Sequence, residues 1–221
     1  MRQSLFITAA TLLLSGCVTV YASSGETITQ NRDLPAFDQV EASRGVSVSL
    51  SCGPAAHAVL HGEAEEVANI DLHVEGHTLI ARRNSSWGGH HRQVQIDVTT
   101  VEMLNRLQAS SGSTVEAQPC AISADRLAAD ASSGGEVRLA GRTSYLTAEA
   151  SSGGTIGLLG GGRMDARDAE IRASSGGSVR VCSVAHLNGH ASSGGSVTSE
   201  ESGSGERNAS SGGDFSTRRC G

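Results

Sequence analysis

The segment Ala-Ser-Ser-Gly occurs six times in this chain, beginning at Ala109, Ala131, Ala150, Ala173, Ala191 and Ala209. The steps between copies are 22, 19, 23, 18 and 18 residues, and a degenerate earlier copy stands at Ala42-Ser43-Arg44-Gly45. All six except the first carry a second Gly; in the first, Ser113 takes its place. A unit repeated at this period cannot bury an apolar face alone and has to stack on its own copies.

The residues around each copy say what stacks. Leu146, Ala148 and Ala150 lead into one copy, and Ile156 and Leu158 leave it. Ala169, Ile171 and Ala173 lead into the next, followed by Val179 and Val181, and Val137 and Leu139 stand in the same place after the second copy. Alternation with a period of two is the mark of a strand with one buried face. Each repeat therefore reads as strand, corner, strand and variable connection. One repeat of 18–23 residues fits one coil of a parallel β-solenoid. Equivalent residues then lie about 4.8 Å apart, so the corners stack in ladders. Gly134, Gly153, Gly176, Gly194 and Gly212 open the glycine pairs. One Gly of each pair is expected to take φ > 0 or to sit too tightly for a Cβ. Ser hydroxyls are expected to bond along the stack or to the backbone. Gly160-Gly161-Gly162, in the longest step, reads as a bulging loop.

Composition agrees with thin layers. Aromatics make up only 3% of the 221 residues, whereas Gly reaches 28 residues. The regular spacing of Gly and Ser between apolar β-formers argues against disorder. Collagen fails because Gly does not recur at every third position. A calcium-binding nonapeptide helix fails because Asp follows a Gly pair only at Gly213-Asp214. A Thr-rich ice-binding face is equally unsupported by a Ser-Gly ladder. The net charge of −6 and the scattered Arg residues argue against nucleic acid as a partner.

Residues 34–108 are less regular. Val46, Val48 and Leu50 alternate, as do Ile70, Leu72 and Val74, then Leu79 and Ala81, then Val94, Ile96 and Val98. Turns are expected at Cys52-Gly53-Pro54, Gly62, Glu75-Gly76 and Gly88-Gly89. Thr99–Leu107 admits a short helix, although strands on both sides disfavour it.

The N-terminus has the pattern of an export signal. Arg2 precedes an apolar run from Leu5 to Leu14, too short to span a bilayer. The run ends in Leu14-Ser15-Gly16-Cys17, which resembles the lipobox of bacterial lipoproteins. That resemblance implies cleavage after residue 16, lipidation of Cys17 and a membrane partner through the lipid anchor. Val18 rather than Asp after the cysteine implies outer-membrane sorting. Val20-Tyr21-Ala22 offers a rival cut after Ala22, which would give a secreted or periplasmic protein. Residues 17–33 are polar and without pattern, and read as a tether. With Cys17 removed or acylated, Cys52, Cys120, Cys182 and Cys220 remain. An even count in an oxidising compartment favours two disulfides over buried free thiols, with three pairings open.

The order of Leu34-Pro35-Ala36-Phe37-Asp38-Gln39-Val40, Gly45-Val46-Ser47-Val48, Gly76-His77-Thr78-Leu79-Ile80 and the Ser-Ser-Gly coils resembles the auto-transporter adhesin, head GIN domain family. The match spans residues 34–220, and the domain is placed at 34–221. The resemblance implies a right-handed parallel β-helix on an exported bacterial protein, with no catalytic residues to carry over.

Functional constellations are sparse. His57 and His61, His73 and His77, and His186 and His190 are each four apart, which places each pair on one face of a strand. A zinc site needs three or four such ligands to converge, and no spacing here requires that. Glu63, Glu65, Glu66 and Asp71 cluster in sequence without singling out an acid–base pair. A Ser in every coil is a structural element, since a nucleophile needs a positioned base. Trp87 reads as a solenoid-end cap ahead of a stacking platform. The expectation is a non-catalytic envelope module without cofactor, whose partner is an envelope protein or polysaccharide. A polysaccharide-acting β-helix enzyme and a His-based periplasmic metal binder are the alternatives.

Overall fold

A computed structural model describes residues 25–84 and 93–220. In chain order, β1 (Thr27–Asp33), β2 (Gln39–Ser43), β3 (Ser47–Cys52) and β4 (His57–Glu63) precede a one-turn helix, α1 (Ala64–Ala68). β5 (Ile70–Glu75), β6 (Thr78–Arg83) and β7 (Gln95–Thr100) follow. The repeats supply β8 (Arg106–Ser110), β9 (Thr114–Ala117), β10 (Arg126–Ser132), β11 (Glu136–Leu139), β12 (Gly141–Ala150) and β13 (Thr155–Leu158). They continue with β14 (Met164–Ala173), β15 (Ser178–Arg180), β16 (Ser183–Ala191), β17 (Ser196–Ser199), β18 (Glu201–Ser204), β19 (Arg207–Ala209) and β20 (Asp214–Thr217).

These strands form a β-solenoid of stacked parallel coils. Sheet 1 runs in the order β1-β4-β7-β3-β9-β11-β13-β15-β17-β20, and sheet 2 runs β18-β16-β14-β12-β10-β8-β2-β6-β5, with β19 also on β16. Ten strands at the usual spacing make sheet 1 about 43 Å long. Between the sheets lies a ladder core. Ile96, Val48, Val115, Val137, Ile156, Val179 and Val197 stack inside sheet 1. Ala81, Ala42, Ala109, Ala131, Ala150, Ala173 and Ala191 stack inside sheet 2, each nearly without exposure. The repeat's leading Ala is thus a core position where a tight corner leaves room for one methyl group.

The corner is tighter than its glycines alone imply. The second Ser and the first Gly of each copy are both left-handed, for example Ser152 at φ 51° with Gly153 at 73°, and Ser175 at 51° with Gly176 at 74°. A bond from the next residue closes each turn, as Gly154 N donates to Ser151 O at 2.8 Å. Two positive φ values and this closure make a type I′ turn. The second Gly faces another constraint. A Cβ at Gly135, Gly154, Gly177, Gly195 or Gly213 would lie 2.2–2.3 Å from the carbonyl oxygen of the Ala one coil earlier. Ser113 keeps its side chain because its Oγ accepts from Gly45 N at 3.0 Å and Val46 N at 3.2 Å in the degenerate corner. Ser113 is the exception. Among the described residues, the other corner hydroxyls make no bond, and main-chain bonds such as Gly153 N to Ser175 O at 3.1 Å carry the ladder.

The first half departs from the simple stack. β2–β3 is flanked on one side by β6–β7 and on the other by β8–β9, all parallel. The first coil in sequence is therefore the second in space. β1, β4 and β5 add antiparallel and cap the stack. Residues 27–33, left in the tether by their polarity, are strand β1, held by main-chain pairing to β4 with Ile28 as its partly buried apolar anchor. Gly62 is not a turn but lies in β4, where a Cβ would meet Val94 at 3.1 Å and Val67 at 3.3 Å. The Glu75-Gly76 turn joins β5 to β6, and residues 101–105 connect β7 to β8 without a helix. Cys17 and the export signal, the Gly88-Gly89 turn, Trp87, and His90 with His91 lie outside the described residues.

Candidate functional site

Two disulfides tie segments of the stack together. Cys52, at the end of β3, bonds Cys120, with Cα atoms 5.8 Å apart, and this joins neighbouring coils. Cys182 bonds Cys220, also at 5.8 Å, and returns the C-terminal tail across the last coils. Arg180 Nη2 donates to Arg219 O at 2.9 Å and so holds the same tail.

Outward side chains form ladders because each coil places its equivalent residue on the next. On sheet 1, Arg138 bonds Glu136 at 2.8 Å and Glu116 at 2.6 Å, which raises its pKa. On sheet 2, Arg172 engages Glu149 at 2.7 Å and also Glu170, while Arg106 lies 2.6 Å from Asp130. Asp130 has its pKa raised, foremost by burial and further by Glu149, with Arg106 opposing. Arg163 meets Glu200 at 2.6 Å and Asp165 at 3.3 Å. Arg126 lies over the Tyr145 ring at 5.2 Å.

Hollows lie on these flanks, three of them wider than a small crevice of about 150 Å³ beside Arg172 and His190. One, about 820 Å³, runs across β12, β14 and β16. Small groups such as Ser144, Ala166, Ala185 and Gly203 line it, with Arg142, Arg163 and Arg167 beside them. Its position follows from a slip in alternation: Ser144 and Tyr145 both face outward between buried Thr143 and Leu146, and Arg167 and Asp168 do the same one coil on. A second hollow, about 660 Å³, lies on sheet 1 beside the cap, with Ser47, Gln95, His61 and Glu116 among its walls. The third, about 480 Å³, is centred on Gly157 between Arg138 and Arg180.

The sequence-predicted groups do not converge. His57 and His61 are on β4, His73 on β5, and His186 and His190 on β16 near the other end. His73 bonds Asp71 at 2.8 Å, His61 lies 3.1 Å from Thr29 Oγ1, and His186 meets Ser204. Among the described residues, no three His, Cys, Asp or Glu side chains come together as a metal site. The acidic cluster is divided among cap contacts. Glu66 pairs with buried Arg83, and Asp71 pairs with Arg82 at 2.8 Å. Burial works to raise the pKa of Asp71, but bonds from His73 and Arg82 outweigh it and hold the group below its ordinary value. Asp130 and Glu149, adjacent carboxylates that sequence reasoning did not pair, sit on open sheet and line none of the three hollows.

The model of a family described as "Putative auto-transporter adhesin, head GIN domain" matches residues 36–203. No curated protein matches the chain in sequence. Solved structures share the fold. A putative adhesin from Bacteroides fragilis NCTC 9343 superposes with a TM-score of 0.68 at 16% identity, covering 89% of this chain and 98% of that one. A putative adhesin from Parabacteroides distasonis ATCC 8503 gives 0.57 at 11% identity, with 88% and 98% covered. A protein from the same organism, described as a putative lipid binding protein, gives 0.50 at 17% identity over 88% and 98%.

Proposed function

This chain belongs to the auto-transporter adhesin, head GIN domain family, and from that premise we propose that it is a non-catalytic, adhesin-like binding module held to the bacterial outer membrane by lipid on Cys17. The observation that supports the reading is the flank of the solenoid. Successive coils project equivalent side chains in rows, charged members are held by neighbours, and open hollows run across several coils. Such a surface is rigid, because each row rests on a main-chain ladder. It suits an extended partner better than a reacting centre. An envelope polysaccharide fits the hydroxyl, amide and guanidinium groups on these faces, and the paucity of aromatic side chains leaves polar contacts to supply the affinity.

Anchor and binding are tested together. Full-length protein should incorporate a palmitate analogue, fractionate with outer membranes and be retained by purified envelope polysaccharide. Cys17→Ser should lose the label and the membrane association while keeping polysaccharide retention. Labelling that persists in Cys17→Ser would overturn the anchor. Cleavage of the polysaccharide, abolished by Asp130→Asn or Glu149→Gln, would replace the module with an enzyme.

A further inference from the structure

Gly157 has no structural reason to be glycine. Among the described residues every other Gly either takes a positive φ or would place a Cβ within 3.4 Å of another group. Gly157 does neither: its φ lies outside the left-handed region, and a Cβ there would meet nothing within 4 Å. A strand-interior Gly weakens pairing and often marks a close approach by something else. Here nothing among the described residues approaches.

Its position gives the gap a shape. Gly157 stands between Arg138 on β11 and Arg180 on β15, in the outward row of sheet 1. The flanking strands are about 10 Å apart, two strand spacings. Thr155 and Ser178 line the same hollow of about 480 Å³. The two arginines differ. Arg138 is neutralised by Glu136 and Glu116. Arg180 has no carboxylate partner among the described residues; its Nη2 donates to the Arg219 carbonyl at 2.9 Å and its Nε is buried without an acceptor, so the outer edge of the guanidinium is what faces a ligand. The gap thus joins one oriented, uncompensated guanidinium to hydroxyls and to a Glu136–Arg138 pair.

We infer that the gap over Gly157 is a subsite for a carboxylated sugar unit, a uronic acid residue of an envelope glycan. Its carboxylate meets Arg180, and its hydroxyls meet Thr155, Ser178 and the Glu136–Arg138 pair. Arginine matches a carboxylate with parallel N–H donors. A sugar hydroxyl can both donate to Glu136 and accept from Arg138, which an isolated anion cannot do. The inference deepens the binding-module reading and rests on it.

Titration of the full-length protein in detergent with trigalacturonic acid, its methyl ester and triglutamate tests the subsite. Trigalacturonic acid should bind in a salt-sensitive way, and the ester and triglutamate should each bind at least about tenfold more weakly. Gly157→Thr should fill the gap, abolish binding and melt no lower than wild type. Arg180→Gln should weaken binding by at least about tenfold and keeps the test decisive if the Gly157 variant fails to fold. Equal binding of acid and ester, triglutamate binding as tightly as the glycan, or Gly157→Thr binding like wild type would each overturn the subsite. Retention on envelope polysaccharide that ignores Gly157→Thr sinks the subsite alone, whereas loss of all retention in the wild type sinks the module reading with it.

Discussion

Replacing Gly177 with alanine places a methyl carbon 2.2 Å from the carbonyl oxygen of Ala150 and 2.4 Å from its carbon. Those atoms are backbone of the preceding coil and cannot swing aside as a flexible side chain would. Relief requires the coils to part by about 1 Å, since carbon contacts settle near 3.5 Å. Ser174 N to Ala150 O and Ser178 N to Gly154 O, both now 2.9 Å, would then leave hydrogen-bonding range. Two net bonds at about 1 kcal/mol each, with desolvated groups left unpaired, amount to roughly 3–5 kcal/mol. Gly176→Ala is the control one residue earlier. It meets nothing within 4 Å, but it forces a Cβ into φ 74°, at about 1–2 kcal/mol. For a domain of this size each kcal/mol lowers Tm by about 2–4 °C. Thermal melts should therefore show Gly177→Ala lower by about 6–20 °C and Gly176→Ala by about 2–8 °C. Limited proteolysis should cut the first variant near the central coils. If Gly177→Ala melts no lower than Gly176→Ala, the close approach of the coils is not what excludes a side chain.

Mass spectrometry of the non-reduced protein should find Cys52 linked to Cys120 and Cys182 to Cys220; four free thiols in protein from its native envelope would refute both links. The closed loops span 68 and 38 residues, and in the chain-entropy picture each contributes about 4 kcal/mol, so Cys182→Ser with Cys220→Ser should expose the C-terminal coils to protease first. Asp130 has a folded-state pKa above its ordinary 3.8, so wild type should lose stability as pH rises from 3.8 through that raised value. The difference between Asp130→Asn and wild type, followed by urea denaturation across this range, should move in favour of the variant as pH rises; a pH-independent difference would refute the assignment. Asp71 is the opposite case, with a lowered pKa: its contribution is present above 3.8 and should vanish as pH falls through the lowered value, so Asp71→Asn and wild type should converge in acid.

The repeated half of the fold was legible because each coil meets only its neighbours in sequence, so local alternation at Leu146, Ala148 and Ala150 already states the buried face. The corner residues were legible as glycine positions, but the left-handed Ser152 and Ser175 were not, because nothing in their type announces φ > 0 and the fold imposes it. The leading Ala looked like one more strand residue, and only the stack reveals a row of methyl groups. The displaced position of β2–β3 left no trace in periodicity, since alternation tells which face is buried and not which neighbour covers it. β1 was missed for a related reason: main-chain pairing needs no apolar pattern, and Ile28 alone reaches the core. Of the site, Arg138 and Arg180 could not be joined before the register of β11, β13 and β15 was known, and nothing in the repeat pattern sets Gly157 apart.

The enclosure of β2–β3 between later segments restricts how such a chain can lengthen. From β10 onward, every coil stacks on the one before it: Leu146 meets Ala169, 23 residues on. Gln39, by contrast, meets Thr78 and Arg106, 39 and 67 residues later, and the Cys52–Cys120 bond closes over both. Duplication of a coil beyond β9 inserts a storey between like neighbours, with the cost confined to one new interface. Duplication of residues 39–52 would need a slot already occupied on both sides. Repeat number can therefore drift on the C-terminal side of β9 while the capped end stays constant, and the reach of the molecule becomes a quantity that gene duplication can tune one coil at a time.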